Sequence, residues 1–267
     1  MKKRRILVTG ASSGIGAALV RETADPGAEF LLIARDATRL DTVVKQARAA
    51  GAGVEIACLD VRKIEAVRDA IKDFAKDGGI DQAFLAAGVK AGNLRGIEPV
   101  GQADRIFDVN LKAVVSQVET LLEGMKDADR GHIVLFSSMA ALAPQPDLLS
   151  YSASKSAIRA YGSALRRALR GTHIGVHIVT LGFVDTPMTD RHGGPTPIKM
   201  SAEGAARKIL RGVEKRKPYI SLPMSLMVLI RLQNLLPTGL ADWIDSAFRA
   251  SIEPDSDEVA DAKNDEP

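Results

Sequence analysis

"RILVTGASSGIG", residues 5 to 16, is a short apolar run that breaks into a glycine-rich turn and resumes as the start of a helical pattern. Gly10, Gly14 and Gly16 thus lie directly after a predicted strand and open a predicted helix. Glycines at such a junction allow a tight turn. They also let backbone N–H groups and the helix N-terminus approach a pyrophosphate, as dinucleotide sites require. The spacing is G-x-x-x-G-x-G, not the commoner G-x-G-x-x-G. Three glycines could serve a plain turn, but the strand-to-helix context favours phosphate binding.

Moving outward, short apolar runs alternate with longer helical patterns, and no internal repeat is visible. The runs predict strands at 5–9, 29–34, 54–59, 82–87, 132–137, 175–181 and 218–222. Near-continuous apolar strands separated by helices suit a parallel sheet covered on both faces. The fold class is therefore α/β: a doubly wound, mostly parallel seven-stranded sheet of Rossmann type.

The 267 residues, 46% hydrophobic and 26% charged, supply one sizeable core and exclude disordered and fibrous classes. One catalytic domain over 1–252 is expected, with 223–252 as an apolar C-terminal helical extension. Residues 253–267 hold seven acidic residues against Lys263 and read as a frayed tail. The net charge of +3 is scattered along the chain and aromatics are only 4%, so a nucleic-acid partner is not expected. The lone Cys58 lies in an apolar run and is expected to be a buried structural thiol. No secretion signal is read at the basic N-terminus, and a cytoplasmic location is expected.

"YSASK", residues 151–155, places a tyrosine and a lysine one helical turn apart. Together with "TGASSGIG", with Ser138 thirteen residues before the tyrosine, and with Asn110 in "DVNLKA", it makes the sequence resemble the single-domain branch of the short-chain dehydrogenase/reductase family. The resemblance runs from about Arg5 to about Leu222 and implies an oxidoreductase. Hydride would pass between a nicotinamide cofactor and a carbonyl or secondary alcohol, with Tyr151 as acid and base. It further implies that Ser138 holds the substrate oxygen, that Lys155 bonds the nicotinamide ribose, and that Asn110 positions a water linking Lys155 to solvent. A free tyrosine has a pKa near 10, and a cationic lysine within a few ångströms is expected to lower it by about 1 to 3 units.

The same resemblance assigns Gly10, Ser12, Ser13, Gly14, Ile15, Gly16 and Gly88 to the cofactor phosphates and nearby backbone, and Asp60 and Val61 to the adenine. Val184 and Thr186 would meet the nicotinamide. At the end of the second strand the family's NAD-selecting acid is replaced by Ala34, and Arg35 follows, which favours NADP through pairing with the 2′-phosphate. Asp36 is then the N-cap of the next helix. NAD stays open as the alternative cofactor, since Ser13 stands where many NADP-preferring relatives carry a basic residue. A non-catalytic dinucleotide-binding regulator is the alternative from another class.

Two departures stand out. The family's Asn-Asn-Ala-Gly reads Leu85, Ala86, Ala87, Gly88, and the proline of its Pro-Gly-x-x-x-Thr segment is Leu181. The stretch 183–200, with Gly193, Gly194, Pro195 and Pro197, reads as a mobile lid. His192 within it is expected to be solvated, and no histidine has metal-ligand spacing, so no metal site is expected. Residues 223–237 are too short an apolar run to span a bilayer. They are read as a helix packed on the domain or at a subunit contact, with a hydrophobic flap or membrane-surface contact as the alternative. A homodimer or homotetramer through predicted long helices at about 102–126 and 151–170 is implied by analogy with the family.

Overall fold

Arg4–Thr9 forms β1, and its alternate residues sort cleanly: Ile6 and Val8 join one core, Leu7 the other. The structure, a computed structural model, describes residues 3–93, 97–194, 196, 198–241 and, for the backbone alone, 251–252. The further strands of the main sheet are β2 (Ala28–Ala34), β3 (Gly53–Cys58), β4 (Gln82–Leu85), β5 (Gly131–Ser138), β6 (Ile174–Leu181) and β8 (Tyr219–Leu222). They lie in the order β3-β2-β1-β4-β5-β6-β8, every pair parallel. This is the expected doubly wound Rossmann-type sheet.

The core on one face joins the sheet to α1 (Gly14–Thr23), α2 (Ala37–Ala49) and α8 (Ala202–Glu214). The core on the other joins it to α3 (Ile64–Ala75), α4 (Gln102–Phe107), α5 (Ala113–Ala128) and α6 (Leu149–Ala168). Strand order reverses between β1 and β4, and the crevice outside the strands' carboxyl ends at that point is where such sheets bind ligands.

Four expectations are corrected. β4 stops at Leu85, not Ala87, because Ala86 N–H turns back onto the Phe84 carbonyl and the chain bends over the glycine turn. Cys58 is exposed: β3 is the sheet's edge strand, and the thiol donates to the Arg35 carbonyl at 3.2 Å. The helix expected at 102–126 is interrupted by a π-turn at Asp108–Lys112 between α4 and α5. The C-terminal extension is helical as α9 over Met224–Gln233, but Ser251–Ile252 (β9) pairs antiparallel with His192–Gly193 (β7). Residues 242–250, Pro195, Pro197 and the acidic tail at 253–267 lie outside the described residues. No helix among the described residues is long and apolar enough to cross a membrane.

Candidate active site

The glycine turn closes on itself so tightly that side chains have no room. A Cβ on Gly16 would stand 2.2 Å from the Gly10 carbonyl oxygen, and one on Gly10, where φ is +68°, would stand 2.8 Å from the Ala87 backbone. Gly14 (φ +52°) faces the Thr186 side chain, which brings the loop after β6 over the start of α1. Ser13, the N-cap of α1, places no side-chain hydrogen bond on the first turn. The N–H groups there are available to an anion. Without the family's asparagines, Ala87 N–H donates to Thr9 Oγ1 at 3.4 Å, so a strand β1 side chain supports the β4 exit.

At the end of β2, Arg35 follows the last strand residue and lines the same cavity as the glycine turn. Asp36 Oδ1 accepts from Arg39 N–H at 2.8 Å as the N-cap of α2, and its other oxygen pairs with Arg39 Nε at 3.0 Å. That carboxylate is already engaged. Asp60 accepts from Arg62 backbone and guanidinium and lies 3.8 Å from Arg35 Nη1. Burial works to raise its pKa, but the Arg62 hydrogen bonds and the Arg62 and Arg35 charges hold the carboxyl below its usual range. Val61 lies beside it on the cavity wall.

β5 ends on Ser138, whose hydroxyl oxygen accepts from Ala140 N–H at 3.2 Å and caps the 3₁₀ turn Met139–Ala141. The same hydroxyl is hydrogen-bonded to the Tyr151 side chain. Tyr151 and Lys155 lie on the buried face of α6 and line that cavity with Ser138. Ser137 Oγ donates to the Lys155 carbonyl at 2.8 Å, which locks this turn of α6 to β5. Lys155 Nζ donates to the Phe136 carbonyl at 3.1 Å and lies 5.8 Å from the centre of the Tyr151 ring.

The tyrosine's pKa moves opposite to expectation. Burial raises Tyr151 above its ordinary value, and the Ser138 hydroxyl only partly offsets this. The lysine ammonium donates to the Phe136 carbonyl rather than to the phenol. Burial also brings Lys155 down to about 8.

Asn110 is fully buried in the π-turn behind the cavity. Its carboxamide exchanges two hydrogen bonds with the Val89 backbone, both 2.9 Å, and donates to Ser154 Oγ at 3.1 Å. Gly88 lets this arrangement close, for a Cβ there would stand 3.2 Å from Asn110 Oδ1 and 3.4 Å from Lys155 Nζ. Asn110 therefore ties α6 to the chain leaving β4.

These pieces surround a cavity of about 840 Å³ lined by Gly10, Ser12, Ser13, Gly14, Ile15, Gly16, Arg35, Asp60, Val61, Gly88, Ser138, Tyr151, Lys155, Val184 and Thr186. It fits an extended dinucleotide: a turn with three glycines at a helix N-terminus, two arginines beyond β2, and buried polar groups at the far end. Several lining residues escaped the sequence reading. Arg39 sits one turn into α2. Leu226, Leu229 and Ile230 were not singled out individually, but they belong to the apolar stretch 223–237 expected to pack on the domain or to form a flap; as α9 it packs on Met139 and Ala143 and walls the cavity. Lys90 lies two residues past Gly88. His192 is not solvated as expected; its ring packs at a 52° tilt against Phe183 with centroids 4.9 Å apart and meets Lys90 Nζ at 3.3 Å.

The family model for short chain dehydrogenase matches residues 4–194. An uncharacterized oxidoreductase of Myxococcus xanthus is 32% identical over 91% of this chain and 96% of its own. A short-chain dehydrogenase/reductase from Burkholderia phymatum, solved with NAD, superposes with a TM-score of 0.80 at 24% identity over 88% of this chain and 94% of its own. A Sphingobium yanoikuyae short-chain dehydrogenase solved with NADPH gives 0.76 at 24% identity over 94% and 99%. The glycine turn, the switch-point cavity and the family match coincide on the same residues, and the chain belongs to the short-chain dehydrogenase family of oxidoreductases.

Proposed function

We propose that residues 1–252 form one catalytic domain that reduces a small-molecule carbonyl compound, or oxidises the corresponding alcohol, with NADP(H). The observation that carries the reading is the convergence of Ser138, Tyr151 and Lys155 on the cavity that also contains the glycine turn. The nicotinamide, when bound, supplies or accepts the hydride. Tyr151 O–H delivers its proton to the carbonyl oxygen, and in reverse takes it from the alcohol. Ser138 O–H donates to the same oxygen and holds it toward Tyr151. Lys155, anchored through its own carbonyl by Ser137, keeps a cation near the phenol as charge develops there. Asn110 fixes the Gly88–Val89 backbone against α6, which sets where Lys155 stands.

The preference for NADP rests on Arg35 and Arg39 lining the cavity while Asp36 is occupied as a cap. Arg35→Ala is expected to lower kcat/KM for NADPH by about 10- to 100-fold and to leave NADH nearly unchanged. Equal loss with both cofactors rejects the assignment. NAD-linked turnover is the second reading, favoured by the absence of a basic residue at Ser13. A cytoplasmic setting and a homodimer or homotetramer through α5 and α6 belong to the same proposal, and light scattering tests the assembly. Following NADPH absorbance across a carbonyl panel tests the activity; a Tyr151→Phe variant with full turnover overturns the mechanism.

A further inference from the structure

We propose that Lys90, with Arg191 and His192 on the facing loop, forms an anion-recognising end of the substrate cavity. The substrate would then be a carbonyl compound that carries a carboxylate on an apolar body. The inference rests on the carbonyl-reductase reading and narrows its substrate class.

Lys90 is 9% exposed yet lines the cavity, so the residue is nearly out of bulk water and still borders the space a ligand enters. A buried cation ordinarily has a carboxylate partner, because the cost of removing it from water must be offset. Among the described residues none lies within ion-pair distance of Lys90; its nearest polar partner is His192 Nδ1 at 3.3 Å. The neighbouring charge that acts on it is Arg191, a like charge. Desolvation first, and Arg191 second, pull Lys90 down to about 8, so it gains from any anion brought beside it.

Placement gives this cation a role in substrate recognition. Lys90 follows by two residues the Gly88 that abuts Lys155, and His192 comes from the loop that also carries Thr186. Leu226, Leu229 and Ile230 of α9 line another part of the same cavity and supply an apolar wall. A carboxylate at Lys90 with a hydrocarbon body against α9 satisfies both, and leaves the carbonyl to Ser138 and Tyr151.

The test is calorimetric binding of octanoate and of its neutral isostere octanamide to the full-length protein with NADP⁺ present, for wild type and Lys90→Met. Octanoate is expected to bind wild type at least about tenfold more tightly than octanamide, and Lys90→Met to abolish that preference while leaving octanamide unchanged. Equal binding of acid and amide by wild type, or an undiminished preference in Lys90→Met, overturns the inference. Should Lys90→Met fail to fold, Lys90→Gln and Arg191→Ala replace it, with loss of the acid preference in either supporting the inference and its persistence in both opposing it. The readout does not require turnover. A protein that binds octanoate through Lys90 but reduces no carbonyl sinks the proposed activity alone, whereas one that reduces neutral ketones and shows no acid preference sinks this inference alone.

Discussion

At neutral pH Tyr151 holds its proton firmly, because burial raises it above an ordinary value near 10. In the proposed mechanism, carbonyl reduction would therefore begin with the acid loaded, while alcohol oxidation would first have to remove that proton. The kcat/KM for reduction is expected to be flat from about pH 6 to 7 and to fall as Lys155, at about 8, loses its charge, and that for oxidation to climb from about pH 6 to 7. A pH–rate profile in each direction checks this; a reduction rate that rises with pH would contradict it. Tyr151→Phe is expected to lower turnover by about 10²- to 10⁴-fold while NADPH binding, read by fluorescence titration, persists. The separation of Tyr151 and Lys155 was enough to put them on one helix face, but that Ser138 joins them at one cavity was implied only by the resemblance to the family. Lys90 was not legible, because a lone lysine after a glycine has no periodic signature, and its meaning comes from a loop a hundred residues away.

At the scale of elements, the junction of β1 and α1 leaves the least freedom. In Gly16→Ala the new methyl group meets the Gly10 carbonyl at 2.2 Å, a backbone atom that cannot swing aside. The variant is expected to lose about 1 to 3 kcal/mol of stability and most of whatever affinity the wild type has for a nicotinamide dinucleotide, measured by urea unfolding and by titration. Gly124→Ala, where a Cβ meets nothing within 4 Å, is the matched control and should retain both. Strand positions were readable because burial on both faces makes nearly every residue apolar, as in β2 and in the Ile6–Val8 centre of β1. The same rule misled at β3, where an apolar run lies on an edge and leaves Ile56 55% exposed. The π-turn was illegible since one extra residue in a helical turn leaves the surrounding periodicity almost intact.

Across the whole molecule, acid sensitivity should reside partly in the sheet. His132 on β5 and His177 on β6 meet at 2.9 Å, a contact permitted by Gly175, whose Cβ would otherwise stand 2.5 Å from His132 Nδ1. Burial first, then the His177 and Arg216 charges, lower His132 to about 4. An unfolded histidine titrates near 6.5. The neutral pair thus stabilises the fold fully above about pH 6.5 and loses that contribution as pH falls toward 4, because the unfolded chain takes up the proton first. His132→Asn is expected to flatten this decline by on the order of 2 kcal/mol between about pH 7 and 4, measured by urea melts. An unchanged slope would place the acid response elsewhere. The pairing of β7 with β9 has a consequence for engineering. Residues 192–193 and 251–252 are hydrogen-bonded although some sixty positions apart. A chimera that imports a relative's 183–200 loop alone would carry half of a matched pair, so a specificity graft should transfer the C-terminal segment with it.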